Sequence, residues 1–172
     1  MTDRSAFYDQ RAPLRPSESH RYYQRLLRRY YAFFIPPGQR VLEVGCGLGD
    51  LLAAVAPARG LGIDFSPATV ALARQRHPEL EFQIADAGGV SLEEKFDYII
   101  LSDLVNDLPD VQVVLEKLRA VATSHTRLVL NFFNTLWRPI LHSAERCGFK
   151  APTLSQNWLS TNDMANLFHL AG

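Results

Sequence analysis

The stretch VLEVGCGLGD, Val41 to Asp50, sets Gly45, Gly47 and Gly49 directly after a run that reads as the first buried strand of the chain. Glycine leaves no side chain between backbone and ligand and adopts angles that other residues avoid. Three of them at a strand end fit a loop that a ligand approaches closely. Two acids frame the loop, Glu43 before it and Asp50 after it. A dinucleotide loop would read GxGxxG, with the diphosphate on the N-terminus of the following helix. Here the pattern is GxGxG, and Asp50 stands where the third glycine would be, a poor neighbour for a diphosphate. Glu43 and Asp50 together suit a ligand that carries an ammonium group and a sulfonium.

Further acids end the next two strands. Asp64 follows GLGI, and an acid about 20 residues beyond such a loop accepts hydrogen bonds from ribose hydroxyls. Phe65 is placed to lie against an adenine face, and Asp86, in Ala85-Asp86-Ala87, is suited to accept from an exocyclic amine. Each feature has a plainer reading: a tight turn for the glycines, a helix-entry residue for Asp64, a local loop turn for Asp86. Cys46 between two glycines reads as chosen for its size. The combination at three successive strand ends favours the ligand.

The elements that must position these residues alternate regularly. Arg40–Val44, Gly60–Ile63, Glu81–Ala85, Phe96–Leu101 and Arg127–Asn131 read as strands. Asp50–Ala56, a Ser66-capped helix from Pro67 to His77, Asp110–Thr123 and Trp137–Cys147 read as the helices between and after them. FDYIIL is apolar throughout, as a strand buried on both faces should be. This alternation predicts an α/β, doubly wound, mostly parallel open sheet. Ahead of it, residues 1–38 read as a polar arm and an outer helix, with Tyr22, Leu26, Tyr30, Tyr23, Leu27 and Phe34 at helical spacing and Arg21, Arg25 and Arg28 on another face. Residues 39–172 form the ligand-binding domain in this reading. At the end, Ser160 opens a capping box and Met164, Leu167, Phe168 and Ala171 make an apolar stripe. Nothing follows that stripe, so the chain reads as a fragment of something longer.

Composition narrows the function classes. Hydrophobic residues are 47% and charged residues 21%, and Lys+Arg equals Asp+Glu at 18 each, so no global basic field argues for nucleic acid. No apolar run is long enough for a membrane span, and the N-terminus lacks the apolar core of a secretory signal. Cys46 and Cys147 have no metal or disulfide spacing, and His20, His77, His125, His142 and His169 show no ligand spacing. The expectation is one metal-free domain in the cytoplasm.

EVGCGLG, GIDFS, ADA and FDYIILSDL together resemble the class I S-adenosylmethionine-dependent methyltransferases, with a Rossmann-like fold. The similarity covers roughly Tyr30 to Asn131, with a weaker echo in NWLSTNDMANLFHLAG. The resemblance implies S-adenosylmethionine as cofactor, with Glu43 near its amino group and Gly45, Cys46 and Gly47 under the methionyl and ribose parts. It implies Asp64 on the ribose, Phe65 beside adenine, Asp86 with Ala87 at the adenine amine, and Ser102 at the methionine end. It also implies seven strands, the last two an antiparallel pair that this chain lacks. Many relatives carry a histidine in the NDLP stretch, where this chain offers Asp107. Asp103, Asp107 and His142 are candidate bases by strand-end position. No Asn/Asp-Pro-Pro-aromatic motif is present, which favours a small-molecule, sugar or lipid acceptor and no nucleic acid partner. Three rivals stay open: a nicotinamide-dependent oxidoreductase, a non-catalytic adenosyl-ligand module, and a methyltransferase module of a larger polypeptide. The oligomeric state is not set by the sequence.

Overall fold

The computed structural model describes residues 18–147 and 157–172, so the arm expected before the first helix lies outside the described residues up to position 17. In chain order the elements are α1 (Glu18–Phe34), β1 (Arg40–Val44), α2 (Asp50–Ala54), β2 (Arg59–Asp64), α3 (Pro67–Arg76), β3 (Glu81–Ile84), β4 (Tyr98–Ser102), α4 (Val111–Arg119), β5 (Arg127–Asn131), α5 (Arg138–Arg146) and α6 (Thr161–Ala171). Short 3-10 turns follow β3, β4 and β5. The strands run in the order β3-β2-β1-β4-β5, every pair parallel. No antiparallel pair follows β5 among the described residues.

Strand side chains alternate between faces, and each face of this sheet has its own core. Leu42, Val44, Leu61, Ile63, Ile99 and Leu101 pack with Val114, Leu115 and Leu118 of α4 and Met164 of α6. Val41, Tyr98, Ile100 and Phe82 pack on the other side with Leu27 and Tyr31 of α1, Leu51 and Leu52 of α2, and Val70 of α3. With both faces covered, the sheet is doubly wound as the alternation predicts. Each fully buried aliphatic side chain contributes about 1.5–3 kcal/mol, so these two layers dominate the stability of the domain.

Local signals place the helices. Ser66 accepts from Thr69 N and Pro67 sits in the first turn, which fixes the start of α3. Ser160 and Asp163 form the expected capping box of α6. The apolar stripe of α6 finds its partner earlier in the chain: α6 packs on α4, with Met164 and Ala171 buried and Arg119 donating to Ala171 O at 2.8 Å. Phe168, expected in that stripe, is exposed.

Two sequence expectations are corrected. The fourth strand begins at Tyr98 instead of Phe96, because the Phe96 amide donates to Val121 O behind α4. On α1 the inward stripe is Tyr23, Leu27 and Tyr31, while Tyr22, Tyr30 and Phe34 face outward. Aromatic and leucine side chains span about half of the helix, so periodicity alone could not choose the buried stripe; packing on α2 and the sheet does.

Candidate active site at the carboxyl ends of the strands

Strand order reverses between β1 and β4, and in open α/β sheets the crevice beyond the carboxyl ends at that point receives the ligand. The glycine loop lies there. Gly45 and Cys46 donate to Ile63 O at 2.8 and 3.0 Å, which folds the loop back onto the end of β2. Gly45, Gly47 and Gly49 all have positive φ, at 72°, 52° and 78°. The three sites are otherwise unlike. A Cβ at Gly49 would meet Phe82 Cζ at 2.5 Å and one at Gly45 would meet Leu104 Cδ1 at 2.9 Å, whereas one at Gly47 would meet nothing within 4 Å. Gly49 therefore serves packing and Gly47 faces open space. Cys46 is turned inward, its Sγ 2.8 Å from where a Cβ on Gly62 would stand, and burial pushes its thiol far up. Its part in a ligand site is through the backbone.

Glu43, on the α1/α2 side of β1, is 2% exposed. One oxygen accepts from Leu52 N of α2, while Oε2 has no hydrogen-bond partner. Burial first, then the charges of Asp64 and Asp50, hold this carboxyl well above the usual carboxylate range. A buried polar atom left without a partner calls for an explanation, and a cationic or hydrogen-bond-donating ligand supplies one.

Asp64 ends β2 and braces the loop: Oδ2 accepts from Gly47 N at 3.0 Å and Oδ1 from Ser66 N at 2.9 Å. Phe65, half-buried, follows it. Asp86 is exposed and accepts from Gly88 N at 2.9 Å, opening the 3-10 turn in which Ala87 is the first residue. Asp50 is a correction. Its Oδ1 pairs with Arg76 Nε at 2.8 Å and lies 2.9 Å from His77 Nε2, so an arginine of α3 matches its charge. Asp50 therefore does not set the sign of the crevice.

Beyond β4 the structure assembles a polar cluster. Asp103 has φ 53°, a left-handed conformation uncommon for aspartate. Its Oδ1 accepts from Tyr23 Oη at 2.6 Å and from Asn131 Nδ2 at 2.5 Å. Asn131 Oδ1 in turn accepts from Tyr31 Oη at 2.7 Å and from Ser102 Oγ at 3.0 Å. Burial, then the bond to Asp103, keeps the Tyr23 hydroxyl protonated, and burial does the same for Tyr31. Ser102 and Asp103 thus share one cluster with α1 and the end of β5. Asp107 ends a separate 3-10 turn, where its neighbour Asn106 is the buried polar member, bonded to Phe133 N and O and to Asn157 O. His142 lies on α5, but its side chain is outside the described residues. Tyr31 and Asn131 were missed by sequence reasoning. The only signal was a polar residue ending an otherwise apolar strand.

An open parallel sheet with a glycine loop, a buried unpaired carboxylate and an acid at the second strand end defines an adenosyl-ligand-binding α/β protein. The chain matches a family described as a methyltransferase domain over residues 35–171. It belongs to that family, the S-adenosylmethionine-dependent methyltransferases of class I. It is 29% identical over 139 residues to a 2-phytyl-1,4-naphtoquinone methyltransferase of Synechococcus elongatus, covering 74% of this chain and 59% of the relative. It is 26% identical over 107 residues to a ubiquinone biosynthesis O-methyltransferase of Bradyrhizobium diazoefficiens, covering 59% and 42%. The chain thus spans about half the length of the curated relatives it matches. Among solved structures, a putative methyltransferase of Haloferax volcanii, in complex with the Trm112 activator, superposes with a TM-score of 0.73 at 19% identity, covering 96% of this chain and 75% of that one. The magnesium protoporphyrin IX methyltransferase of Synechocystis PCC 6803, with bound SAH, gives 0.70 at 20% identity, covering 98% and 84%. At those identities the likeness shows the fold.

The family's cofactor is S-adenosylmethionine, and the donor set fits it: an unpaired buried carboxylate for an ammonium, and open backbone at Gly47. Gly47→Ala is expected to cost about 1–2 kcal/mol of stability for its left-handed angle. The added methyl enters the open face of the loop, and overpacking of about 1–3 kcal/mol weakens S-adenosylhomocysteine binding about tenfold. Calorimetric titration beside a thermal melt checks it. Unchanged affinity would place the ligand away from Gly47.

Proposed function

We propose that the chain catalyses methyl transfer from S-adenosylmethionine to a hydroxyl of a small-molecule or lipid acceptor. The observation that carries the cofactor end is Glu43 Oε2, buried near the carboxyl end of β1 without a hydrogen-bond partner. In this reading Glu43 receives the ammonium group, Asp64 the ribose hydroxyls and Asp86 the adenine amine, with Phe65 against the ring and Ser102 beside the methionine end. The naphthoquinone and ubiquinone relatives support a hydrophobic acceptor.

When bound, S-adenosylmethionine supplies a methyl group on a sulfonium, a leaving group that departs as a neutral thioether. The chain's task is to align an acceptor oxygen with that methyl and exclude water, a proximity effect of up to about 7–11 kcal/mol. Asp103 is the base we assign. It stands at the end of β4, next to the switch point, and Tyr23 and Asn131 fix its Oδ1. An acceptor hydroxyl at this carboxylate loses its proton as the oxygen takes the methyl. Asp107 shares neither the cluster nor the strand end.

The test is a melt with S-adenosylmethionine, S-adenosylhomocysteine and NAD, followed by transfer of labelled methyl to a panel of quinols, phenols, sugars and carboxylates. Ligand at a hundredfold excess over Kd stabilises by about 2.7 kcal/mol, or about 5–10 °C. A shift with the adenosyl sulfur ligands and label in a hydroxyl acceptor is expected. Binding without transfer to any acceptor would favour the non-catalytic module, and a shift with NAD alone would restore the oxidoreductase.

A further inference from the structure

The outward face of α1 is basic and aromatic together. Tyr22 is 66% and Phe33 81% exposed, and Arg25 and Arg29 are exposed on the same side. At 3.6 residues per turn, positions 22, 29 and 33 form one stripe with 25 beside it, opposite the buried Leu27 and Tyr31. From Ser19 through Leu42 the sequence holds five arginines and no acid. The segment Glu18–Phe34 carries a net charge of +3 in a chain whose formal net charge is +0, so the remainder nets −3. Such a separation orients a molecule at a charged plane even when its total charge is zero.

A second exposed apolar group borders the same end of the sheet. Leu136 is 78% exposed, with Trp137 and Ile140 also exposed, in the segment that leaves the carboxyl end of β5. The bonds Tyr23–Asp103 and Tyr31–Asn131 bring α1 to that same end. The helix that carries the first patch and the segment that carries the second thus both reach the carboxyl end of the sheet.

We propose that the outward face of α1, with the exposed turn at Trp137, seats on a bilayer surface containing anionic lipid, the crevice mouth turned toward the lipid. Arginines interleaved with exposed aromatic rings match such an interface, where the rings enter the headgroup region and the guanidinium groups meet lipid phosphates. A duplex nucleic acid would satisfy the arginines through its phosphates and leave the rings in water. The inference deepens the proposed function by giving a lipid acceptor a route to Asp103, yet its readout requires no acceptor.

Flotation of the full chain with phosphatidylcholine vesicles, with and without about 30 mol% phosphatidylglycerol, tests it. Binding is expected only to the anionic vesicles, with release at about 1 M salt, where charges are screened within a few ångströms. Arg25→Glu/Arg29→Glu should lower partitioning at least about tenfold. Tyr22→Ser/Phe33→Ser should lower it severalfold and leave the salt response in place. Both variants alter exposed residues, so each should keep the wild-type melt and its shift with S-adenosylhomocysteine. Failure of the wild type to float on anionic vesicles would overturn the proposal, as would flotation that both variants leave unchanged. Heparin binding that the arginine reversal abolishes, without flotation, would assign the face to a polyanion instead. Flotation behaving as expected, without a cofactor shift, would sink the cofactor reading and leave the membrane surface standing.

Discussion

Asp64→Ala is expected to abolish tight cofactor binding and to lower the melting temperature at once. In the proposed reading two ribose hydroxyls donate to this carboxylate in charge-assisted bonds of about 1.5–3 kcal/mol each, so the affinity for S-adenosylhomocysteine should fall by at least about a hundredfold. The stability effect comes from the other side of the same carboxylate. Removing it leaves Gly47 N and Ser66 N without their acceptor. At about 1–3 kcal/mol for each amide that water does not reach, and about 2–4 °C per kcal/mol for a chain of this size, a fall of several degrees follows. Because the brace and the ribose contact share one side chain, lost affinity alone does not separate them. A deoxyribose analogue does. Wild type should lose affinity on removal of the hydroxyl, whereas Asp64→Ala should bind both ligands equally, the non-additivity that marks a direct contact. Equal hydroxyl dependence in both proteins would reduce Asp64 to a loop brace. Asp64→Asn should fall between, since one amide oxygen can serve only one of the two backbone donors and its NH2 group opposes the other.

What the sequence disclosed follows from the range over which each interaction acts. β1, the glycine loop, Glu43 and Asp64 are read from stretches a few residues long, and parallel strands buried on both faces, such as FDYIIL, leave an unmistakable apolar run. The caps of α3 and α6 are equally local. The cluster around Asp103 is the opposite case: Tyr23 and Asn131 meet across 108 positions, Tyr31 and Asn131 across 100. Nothing near Tyr31 in the sequence hints that its hydroxyl ends at the tip of β5. Asp50 misled for the same reason. Its neighbours put it in the glycine loop, but its partners Arg76 and His77 come from the end of α3. The orientation of α1 was illegible for another reason: its aromatic residues span about half of the helix, so it could bury more than one stripe, and only the sheet beneath it decides.

Glu43→Gln should stabilise the unliganded protein while weakening its hold on the cofactor. The carboxyl of Glu43 lies well above its ordinary value of 4.5 in the folded chain, chiefly through burial. In the unfolded chain it ionises near that ordinary value. The sign follows from linkage: as pH rises above 4.5, the unfolded state releases its proton first and gains, so stability attributable to this group is lost until the folded carboxyl also ionises. Glutamine still offers an oxygen to Leu52 N and carries no charge to desolvate. The variant should therefore melt close to wild type near pH 4.5 and progressively above it at higher pH, by about 1–3 kcal/mol. Cofactor binding runs the other way. An ammonium group against Oε2 favours the ionised carboxyl, so wild-type affinity should rise with pH and release a proton on binding, within the range below the ammonium's own titration near 8. Glu43→Gln should lack that slope and bind about tenfold or more weakly, having lost a charge-assisted bond. Melts across pH and calorimetric titrations in buffers of different ionisation enthalpy read both halves. If the variant gained no stability and bound the cofactor as wild type does, Glu43 would be no ligand residue, and the unpaired oxygen would have to be explained by a water between α2 and the sheet. The pairing of these opposite effects is what a structural role alone does not produce: a carboxylate kept for the fold would make its removal destabilising, whereas one kept for a cation costs stability until the cation arrives.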